Sequence, residues 1–569
     1  MLQGTVGWPE ASAALYRREG HWDGTRLFDV LSRAAQNHPN KTALVSNEQR
    51  FSYAELERGA LKLAARLLAL GIAPLDRVVV QLPNVPEFVL VYFALVRIGA
   101  IPVMALRAHR HAEVRHFLAA SGAKAYVIPD RIGAFDYREM AEALRIDAPA
   151  LQHVIVVGEA LAGQQAFAGL MQQAPSVAEE NALTAIESDP SEVATMLLSG
   201  GTTSMSKLIP RTHQDYVLNA RLCARAAGFD EHTVFMAILP LGHNYNLASP
   251  GLLGAFGVGG TVVLAGATDA DSVFALVARE RVSVIAAVVP LIVNWLGVDA
   301  ETRHDLSSLK VIQNGGARLA PELRSRLRER FGCTPQEIYG TAEGLINMTR
   351  LDDTDEWLLH SSGAPVCEAD QIRVVDEEGH ELPDGEPGEL ITRGPYTICG
   401  YYDAPEKNAE AFTADGYYRM GDIVRKHGRH VFAEGRKKDM INRGGEKISC
   451  EEVENLIFAH PKVKAVTLVA MPDPVFGEKA CAFVITQPGE ALSFEELIGF
   501  LKQQHIASFK LPERLEVVAE FPISPVGKIL KRQLRDQVAN TLQQAASTEN
   551  STSPASAIAV VRYVMLSVA

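Results

Sequence analysis

The stretch 76–106, DRVVVQLPNVPEFVLVYFALVRIGAIPVMAL, sets the fold class of this chain. A β-branched run leads through a turn at Pro83 and Asn84 into an apolar segment with helical periodicity, which Gly99 separates from a second apolar run. This order predicts a strand-helix-strand unit. The strands are continuously apolar rather than alternating, which indicates a mostly parallel sheet with helices on both faces.

Further segments extend this pattern along the chain. Short apolar runs at 126–128, 154–157, 261–264, 282–288 and 311–313 alternate with helix-like segments such as 318–331. From about residue 370 the sequence changes to IRVVDEEGHELPDGEPGELITRG, whose frequent polar turns predict antiparallel strands in a smaller sheet. The fold class is therefore α/β, with mostly parallel sheets, flanking helices and a small β subdomain.

The stretch GRKKDMINRGGEKIS, 435–449, is dense in charge and glycine and predicts a domain boundary. Beyond it, helix-like and strand-like segments indicate a compact α+β domain of about 100 residues. We therefore predict an N-terminal domain over 1–437, a small C-terminal domain over 438–542 and a Ser/Thr-rich, disordered tail over 543–569.

The amino-acid composition and the apolar segments of the chain limit which classes of function and which compartment are expected. The 569 residues include 55 Lys and Arg against 68 Asp and Glu, a net charge of −13, which excludes a general nucleic-acid binder. The 6 cysteines form no CxxC pair, so a reducing compartment is expected. The N-terminus has no signal-peptide pattern, and the apolar segments 251–267 and 282–298 are too interrupted to span a bilayer, so we expect a cytoplasmic protein.

The strongest local motif is LLSGGTTSMSKLIPRTH, 197–213, where an apolar strand opens into a glycine- and hydroxyl-rich loop that ends at Lys207. Backbone N–H groups, hydroxyls and a lysine together suit a polyphosphate. The glycine spacing differs from that of a P-loop. The alternative is a flexible linker, but linkers rarely continue an apolar strand directly.

Other motifs supply carboxylates and a second lysine. Glu343 in YGTAEG, 339–344, could hold Mg²⁺ against phosphates, and Asp422 in YRMGD, 418–422, could accept ribose hydroxyls. Taken alone, each is more often a solvated turn residue or a helix cap. Lys528 follows a Pro-Val-Gly turn in SPVGKILKRQLR, 524–535, and taken alone it is a solvated charge. The order of these motifs in one chain carries more information than any one of them.

The ordered set resembles the adenylate-forming superfamily of acyl- and aryl-CoA ligases, luciferases and peptide-synthetase adenylation domains, over residues 25–540. SKLIPRTH, HNYNLASPG, IQNGGARL and INRGGEKIS are most similar to the stand-alone aryl-acid AMP ligases of siderophore pathways. The resemblance implies that a carboxylic acid reacts with ATP to give acyl-AMP and pyrophosphate, and that the acyl group then passes to a phosphopantetheine thiol.

The resemblance also implies residue roles. Those in nucleotide binding are Thr202, Thr203, Gly315, Gly316, Tyr339, Thr341, Asp422 and Arg436, the magnesium ligand is Glu343, and the catalytic residues are Lys207, His243 and Lys528. Lys438 lies where the family pivots, so a mobile C-terminal domain would exchange Lys528 for the 444–447 loop between the two steps. Ser204 departs from the glycine that the family usually has.

The segment LGHNYNLASPG, 241–251, is implied to bind the acid. Amino-acid-activating relatives commonly have an aspartate at the position of Asn244, and a neutral residue there favours an acid without an α-amino group. The Asn244 amide could bond an ortho-hydroxyl, Tyr245 would wall the ring, and Ser249 could pair with a 3-hydroxyl. Asn246 departs from the usual proline.

We therefore predict a 2,3-dihydroxybenzoate-AMP ligase of siderophore biosynthesis that uses ATP and Mg²⁺. No LGGxS carrier signature occurs in the chain, so the thiol acceptor would be a separate aryl carrier protein or coenzyme A. The alternatives are a salicylate-AMP ligase, an aryl- or acyl-CoA ligase, and a nucleotide-dependent binding protein that has lost catalysis. The joint presence of Lys207, Glu343, Asp422 and Lys528 argues against the last.

Overall fold

The computed structural model describes residues 1–172, 174–199, 206–443, 446–473, 475–504, 506–524 and 528–551. Its internal contacts divide the chain into a large unit, Met1–Glu434 with Lys528, and a small unit, Gly435–Ser524 with the chain from Ile529 onward. Each unit is described by itself.

Strands and helices alternate along most of the chain. The strands are β1 (Thr42–Ser46), β2 (Gln49–Ser52), β3 (Arg77–Val80), β4 (Ile101–Met104), β5 (Ala125–Pro129), β6 (Arg131–Ile132), β7 (Phe135–Asp136), β8 (His153–Val157), β9 (Gln165–Ala166), β10 (Val193–Leu198), β11 (Leu208–Thr212), β12 (Val234–Ala237), β13 (Thr261–Leu264), β14 (Val284–Ala287), β15 (Val311–Gly315), β16 (Thr334–Thr341), β17 (Gly344–Met348), β18 (Ala364–Pro365), β19 (Gln371–Val375), β20 (Gly388–Arg393), β21 (Tyr418–His427), β22 (His430–Arg436), β23 (Ile441–Arg443), β24 (Glu446–Ile448), β25 (Val463–Asp473), β26 (Gly477–Thr486) and β27 (Arg514–Val517).

The helices fall between these strands. They are α1 (Glu10–Arg18), α2 (Leu27–Asn37), α3 (Tyr53–Ala69), α4 (Pro86–Arg97), α5 (His111–Ser121), α6 (Tyr137–Arg145), α7 (Phe167–Gln172), α8 (Val177–Thr184), α9 (His213–Ala226), α10 (Asn244–Ala248), α11 (Gly251–Gly257), α12 (Ala270–Glu280), α13 (Val289–Leu296), α14 (Pro321–Phe331), α15 (Asp355–His360), α16 (Pro405–Ala411), α17 (Cys450–Phe458), α18 (Phe494–Gln503) and α19 (Lys531–Ser551). Single turns of 3₁₀-helix occur at Glu301–Arg303, Lys437–Asp439 and Ser508–Lys510.

The large unit confirms the predicted α/β class. One of its sheets has the strand order β18-β17-β16-β15-β14-β12-β13-β1-β2, and another has the order β11-β10-β4-β3-β5-β8-β9. Their inner strands are parallel. Antiparallel strands close both edges of the first sheet and the β11 edge of the second, whereas β9 pairs in parallel with β8. The antiparallel strands predicted after residue 370 form the sheet β19-β20-β21-β22.

The stretch 76–106 forms β3, α4 and β4, as the sequence predicts. The two strands pair in parallel, with Val79 opposite Val103, and both side chains are fully buried. Helix α4 begins with Pro86, whose fixed φ suits a first helical turn. The chain leaves the helix through Gly99 at φ +72°. Each buried valine stabilises this unit by about 1.5–3 kcal/mol.

The small unit packs α17 and α18 on a sheet of order β24-β23-β26-β25, with β27 paired in parallel to β26. Its core includes Leu468, Ala482 and Leu497, which have no exposed surface. Helix α19 runs past Gln543, where the sequence predicts that disorder begins. No helix in the described part of the chain is long and apolar enough to cross a membrane.

Candidate active site

Two neighbouring strand ends carry motifs from the sequence analysis. Strands β15 and β16 are parallel, with Gly315 opposite Ile338, so the IQNGG and YGTAEG segments leave the sheet at the same edge. Ligands of open α/β sheets bind outside the carboxyl ends of the strands. This edge is therefore the candidate site of the large unit.

The site joins Lys207 to Glu343 through a tyrosine that the sequence analysis missed. The Lys207 Nζ lies 4.2 Å from the centroid of the Tyr401 ring, a cation–π contact. The Tyr401 hydroxyl donates a 2.9 Å hydrogen bond to Glu343 Oε1. Burial lowers the pKa of Lys207, and the nearby Glu343 carboxylate opposes that shift. A cation and a carboxylate thus meet where the resemblance places phosphate and metal.

The acidic turn is held by Arg211, a second residue that the sequence analysis missed. Its Nη1 donates to the Ala342 carbonyl at 2.8 Å, and its Nη2 donates to the Tyr396 carbonyl at 3.0 Å. The Arg211 Nε lies 3.0 Å from Asp215 Oδ1, and neither side chain is exposed. Burial raises the pKa of Asp215 to about 6, against the pull of Arg211. A buried ion pair therefore fixes the backbone beside Glu343.

The turn itself is tight. The Thr341 hydroxyl donates to the Gly344 carbonyl at 2.9 Å, so in this structure it closes its own turn. Gly344 has φ +134°, and a Cβ there would lie 2.4 Å from the Thr397 Cα. Only glycine fits this position, which explains the glycine of the YGTAEG motif.

Tyr339 and Asp422 also meet. The Tyr339 hydroxyl donates a 2.8 Å hydrogen bond to Asp422 Oδ2, although 83 positions separate them in sequence. Asp422 is buried in β21, where the sequence suggested an exposed turn. A buried carboxylate that is held by a phenol is an oriented acceptor for hydroxyl groups.

Arg436 and Lys438 belong to the small unit, and other residues named from the sequence fall outside the described part of the chain. Arg436 ends β22 and is exposed in the small unit. The backbone of Lys438 is in the 3₁₀ turn Lys437–Asp439, and its side chain lies outside the described residues. Thr202 and Thr203, like the departing Ser204, lie outside them as well.

His243 is the N-cap residue of helix α10, and its Nδ1 accepts a 3.3 Å hydrogen bond from the Tyr245 N–H. Burial, followed by the charge of Lys528, lowers the pKa of His243 to about 4. The ring is therefore neutral at pH 7, with its proton on Nε2. Lys528 groups with the large unit, and its Cε lies 3.5 Å from the position that a Cβ on Gly316 would occupy.

Tyr245 packs against the backbone of Gly315. A Cβ on Gly315 would lie 2.8 Å from Tyr245 Cε1, so any side chain there would displace the ring. Two residues that the resemblance assigns to neighbouring clefts are thus in direct contact, and the width of this space is set by the glycine.

A buried polar cluster surrounds the acid-binding segment. We call Tyr216, Asn219, Cys223, Asn244 and Ser249 the polar cluster. The Tyr216 hydroxyl donates to Asn244 Oδ1 at 2.8 Å, and Asn244 Nδ2 donates to Ser249 Oγ at 3.1 Å. Asn219 Nδ2 donates to the same Ser249 Oγ at 3.2 Å, and burial raises the pKa of the Cys223 thiol to about 12.

Tyr216, Asn219 and Cys223 were not predicted from the sequence. They recur at intervals of three and four residues on α9, so they share one helix face. That spacing, in a helix that precedes the acid-binding segment, was the available signal. The departing Asn246 donates from Nδ2 to the Leu239 carbonyl at 2.5 Å and is fully buried.

A buried ion pair supports the glycine loop. Glu337 Oε2 lies 3.1 Å from an Nη of Arg324 and accepts from Asn314 Nδ2 at 3.0 Å. Glu337 Oε1 accepts from the Leu319 N–H at 3.2 Å. Burial raises the pKa of Glu337, and Arg324 opposes that shift. These contacts hold both ends of the loop that contains Gly315 and Gly316.

Comparison with known proteins identifies the family. Residues 31–402 match the family described as AMP-binding enzyme, and residues 452–528 match its C-terminal domain. The 2,3-dihydroxybenzoate-AMP ligase of Bacillus subtilis is 44% identical over 543 residues, 95% of this chain and 99% of the relative. Pyochelin synthase PchD of Pseudomonas aeruginosa is 46% identical over 541 residues, 95% and 97% of the two chains. The apo structure of Mycobacterium smegmatis MbtA has a TM-score of 0.72 at 39% identity, covering 94% of this chain and 99% of its own. The chain belongs to the adenylate-forming superfamily of AMP-binding enzymes.

Proposed function

We propose that this enzyme activates an aryl acid. A carboxylate oxygen attacks the α-phosphorus of ATP, a new P–O bond forms, and the bond to the pyrophosphate oxygen breaks. A phosphopantetheine thiol then attacks the acyl carbon, loses its proton, and releases AMP. Relatives whose names state 2,3-dihydroxybenzoate or salicylate as substrate, at 44% identity, support this proposal.

The polar cluster is the observation that carries the proposal. Asn244 is neutral, buried and held by Tyr216 and Ser249, and it offers no carboxylate to an α-ammonium group. A buried cation without a counter-charge is costly, which disfavours amino acids. The Asn244 Nδ2 carries a second hydrogen that suits an ortho-hydroxyl, and the Tyr245 ring suits an aromatic neighbour.

The charged residues suit a reaction between two anions, the carboxylate of the acid and the α-phosphate of ATP. Lys207 and Lys528 would neutralise phosphate and carboxylate oxygens, and the neutral His243 would donate from Nε2 to the carboxylate. Asp422, oriented by Tyr339, would accept the ribose hydroxyls. The Glu343 carboxylate, oriented by Tyr401, fits a Mg²⁺ that takes one protein carboxylate together with phosphate oxygens. The bound metal would neutralise charge on those oxygens.

We propose 2,3-dihydroxybenzoate as the acid and siderophore biosynthesis as the pathway, with an aryl carrier protein as the acceptor. Ser249 supports this acid because a buried hydroxyl can pair with a 3-hydroxyl. Salicylate is the alternative acid, and coenzyme A is the alternative acceptor. Comparing thioester formation with coenzyme A and with a holo carrier protein separates the acceptors.

The test is acid-dependent exchange of labelled pyrophosphate into ATP. Benzoate, salicylate and 2,3-dihydroxybenzoate are assayed side by side, with phenylalanine as the amino-acid control. We expect exchange with the hydroxybenzoates, with 2,3-dihydroxybenzoate highest in kcat/KM, and none with phenylalanine. Folded protein that is silent with all aryl acids would overturn the proposal in favour of a binding protein.

A further inference from the structure

Asn219 carries a buried acceptor without a partner in the described structure. Its side chain lies on α9 and has no exposed surface. Nδ2 donates to the Ala248 carbonyl at 2.7 Å and to Ser249 Oγ at 3.2 Å, which uses both of its hydrogens. Oδ1 is buried, and none of the described residues bonds to it. Buried polar atoms are normally paired, so this oxygen points to a missing donor.

The Ser249 hydroxyl differs from Asn219 Oδ1, because what it can offer to a ligand is a hydrogen to donate. Its Oγ accepts from Asn219 Nδ2 at 3.2 Å and from Asn244 Nδ2 at 3.1 Å. A hydroxyl has two lone pairs and one hydrogen, so a ligand can use only the hydrogen of Ser249, for which the Cys223 sulfur is the neighbouring acceptor within the protein. A ligand group beside Ser249 must therefore accept from it.

Asn219 Oδ1 and Ser249 Oγ lie within a distance at which one ligand hydroxyl can bond to both. The oxygen of an amide lies about 2.3 Å from its nitrogen. Asn219 Oδ1 is therefore no more than about 5.5 Å from Ser249 Oγ. A hydroxyl that makes two hydrogen bonds of about 2.8 Å at a near-tetrahedral oxygen spans about 4.6 Å, a separation within this limit.

We infer that Asn219 is a specificity-determining residue, whose Oδ1 accepts the proton of an aryl 3-hydroxyl while the oxygen of that hydroxyl accepts from Ser249. The inference rests on the proposed activation of an aryl acid. An acid with hydrogen at position 3 leaves Asn219 Oδ1 buried and unpaired, which costs about 1–3 kcal/mol. Discrimination against such an acid follows from that cost.

The wild-type enzyme tests this with a substrate series. Pyrophosphate exchange is measured with 2,3-dihydroxybenzoate, salicylate, 3-fluorosalicylate and 3-methylsalicylate. Fluorine can accept but not donate, and methyl fills the space and does neither. We expect kcat/KM to be about 10- to 100-fold higher for 2,3-dihydroxybenzoate than for the other acids. Equal values for the hydroxyl and methyl compounds would overturn the inference, whereas silence with all of them would overturn the proposed function as well.

The variant Asn219→Leu removes the acceptor with little change in size. Because leucine also removes the bonds to Ala248 and Ser249, activity with both acids should fall, but kcat/KM for 2,3-dihydroxybenzoate should fall about tenfold or more further than that for salicylate. Thr392→Val, which removes another buried polar atom in β20, is the matched control and should leave the ratio unchanged. An equal fall for both acids would assign Asn219 a merely structural role. If Asn219→Leu does not fold, the wild-type series decides alone.

Discussion

The ring and the hydroxyl group of Tyr401 contact two different charged side chains. Its ring faces the Lys207 ammonium and its hydroxyl holds Glu343. The two partners have opposite charges, and an ionised carboxylate bonded to a phenol has fewer orientations than a solvated one. The tyrosine thus orients the carboxylate that we propose as a metal ligand, and its ring lies against the lysine.

The Tyr401→Phe variant separates these parts because it keeps the ring and removes the hydroxyl. We expect kcat/KM for ATP to fall about tenfold or more, since a hydrogen bond to a charged group contributes about 1.5–3 kcal/mol. The KM for the aryl acid should change little. Exchange kinetics at varied ATP and Mg²⁺ measure this, and Tyr402→Phe is the neighbouring control. An unchanged kcat/KM for ATP would contradict the proposed role.

Helix α9 organises the site at the level of secondary structure. Its first turn is fixed by Thr212, whose hydroxyl accepts from the Asp215 N–H at 3.2 Å while Asp215 Oδ2 accepts from the Thr212 N–H at 3.1 Å. The same aspartate pairs with Arg211, which holds the acidic turn. Farther along, the helix presents Tyr216 and Asn219 to the acid-binding segment. One element therefore contacts both the acidic turn and the proposed acid-binding segment.

Two substitutions at the start of α9 should differ in cost. Thr212→Val removes only a cap and should lower the free energy of unfolding by about 1 kcal/mol. Asp215→Asn leaves Arg211 buried without a counter-charge and should cost about 3–5 kcal/mol. Urea unfolding of both variants at pH 8, where Asp215 is ionised, measures the difference. Equal, small losses would show that the ion pair contributes little.

Helices and strands were easier to predict from the sequence than hydrogen bonds between residues far apart in the chain. The strand-helix-strand unit at 76–106 depends on local periodicity, Pro86 and Gly99, all of which can be read in one window. The bond between Tyr401 and Glu343 spans 58 positions and that between Arg211 and Ala342 spans 131, and no local pattern encodes either. Helix α14 begins at Pro321 rather than 318, because proline marks the first helical turn.

Lys207, Glu343 and Asp422 were predicted because their motifs occur in a set order that resembles a known family, since each residue taken alone is uninformative. Asn219 and Tyr216 were not predicted, since a polar residue in a helix normally faces water. Only the tertiary fold, which buries α9 on nearly every side, turns them into site residues.

At the scale of the whole molecule, the chain folds as two units, and we propose that the second reaction step uses a different part of the chain from the first. Except for Arg436, the described residues proposed to bind the acid and the nucleotide belong to the large unit. The small unit begins at Gly435, within the last residues of β22 and close in sequence to the proposed hinge Lys438. We propose that rotation about this hinge lets Lys528 serve the first step and the 444–447 loop serve the second.

Substitution of Lys528 tests this division. Lys528→Ala should remove roughly 2–4 kcal/mol of transition-state stabilisation from the adenylation step, which slows that step. Transfer of the aryl group from preformed aryl-AMP to the thiol should continue. Pyrophosphate exchange and thioester formation, measured separately, report the two steps. Lys502→Ala, an exposed lysine on α18, is the control. Equal losses in both steps would refute the division.

The Cys223 thiol has a consequence for side reactions. A mixed anhydride that forms near a sulfur of the protein could acylate that sulfur and inactivate the enzyme. Cys223 belongs to the polar cluster, yet burial raises its pKa to about 12, so almost none of it is thiolate in neutral water. In the proposed reaction the Cys223 sulfur would therefore be a poor nucleophile toward the activated acyl group, which would remain available to an external thiol.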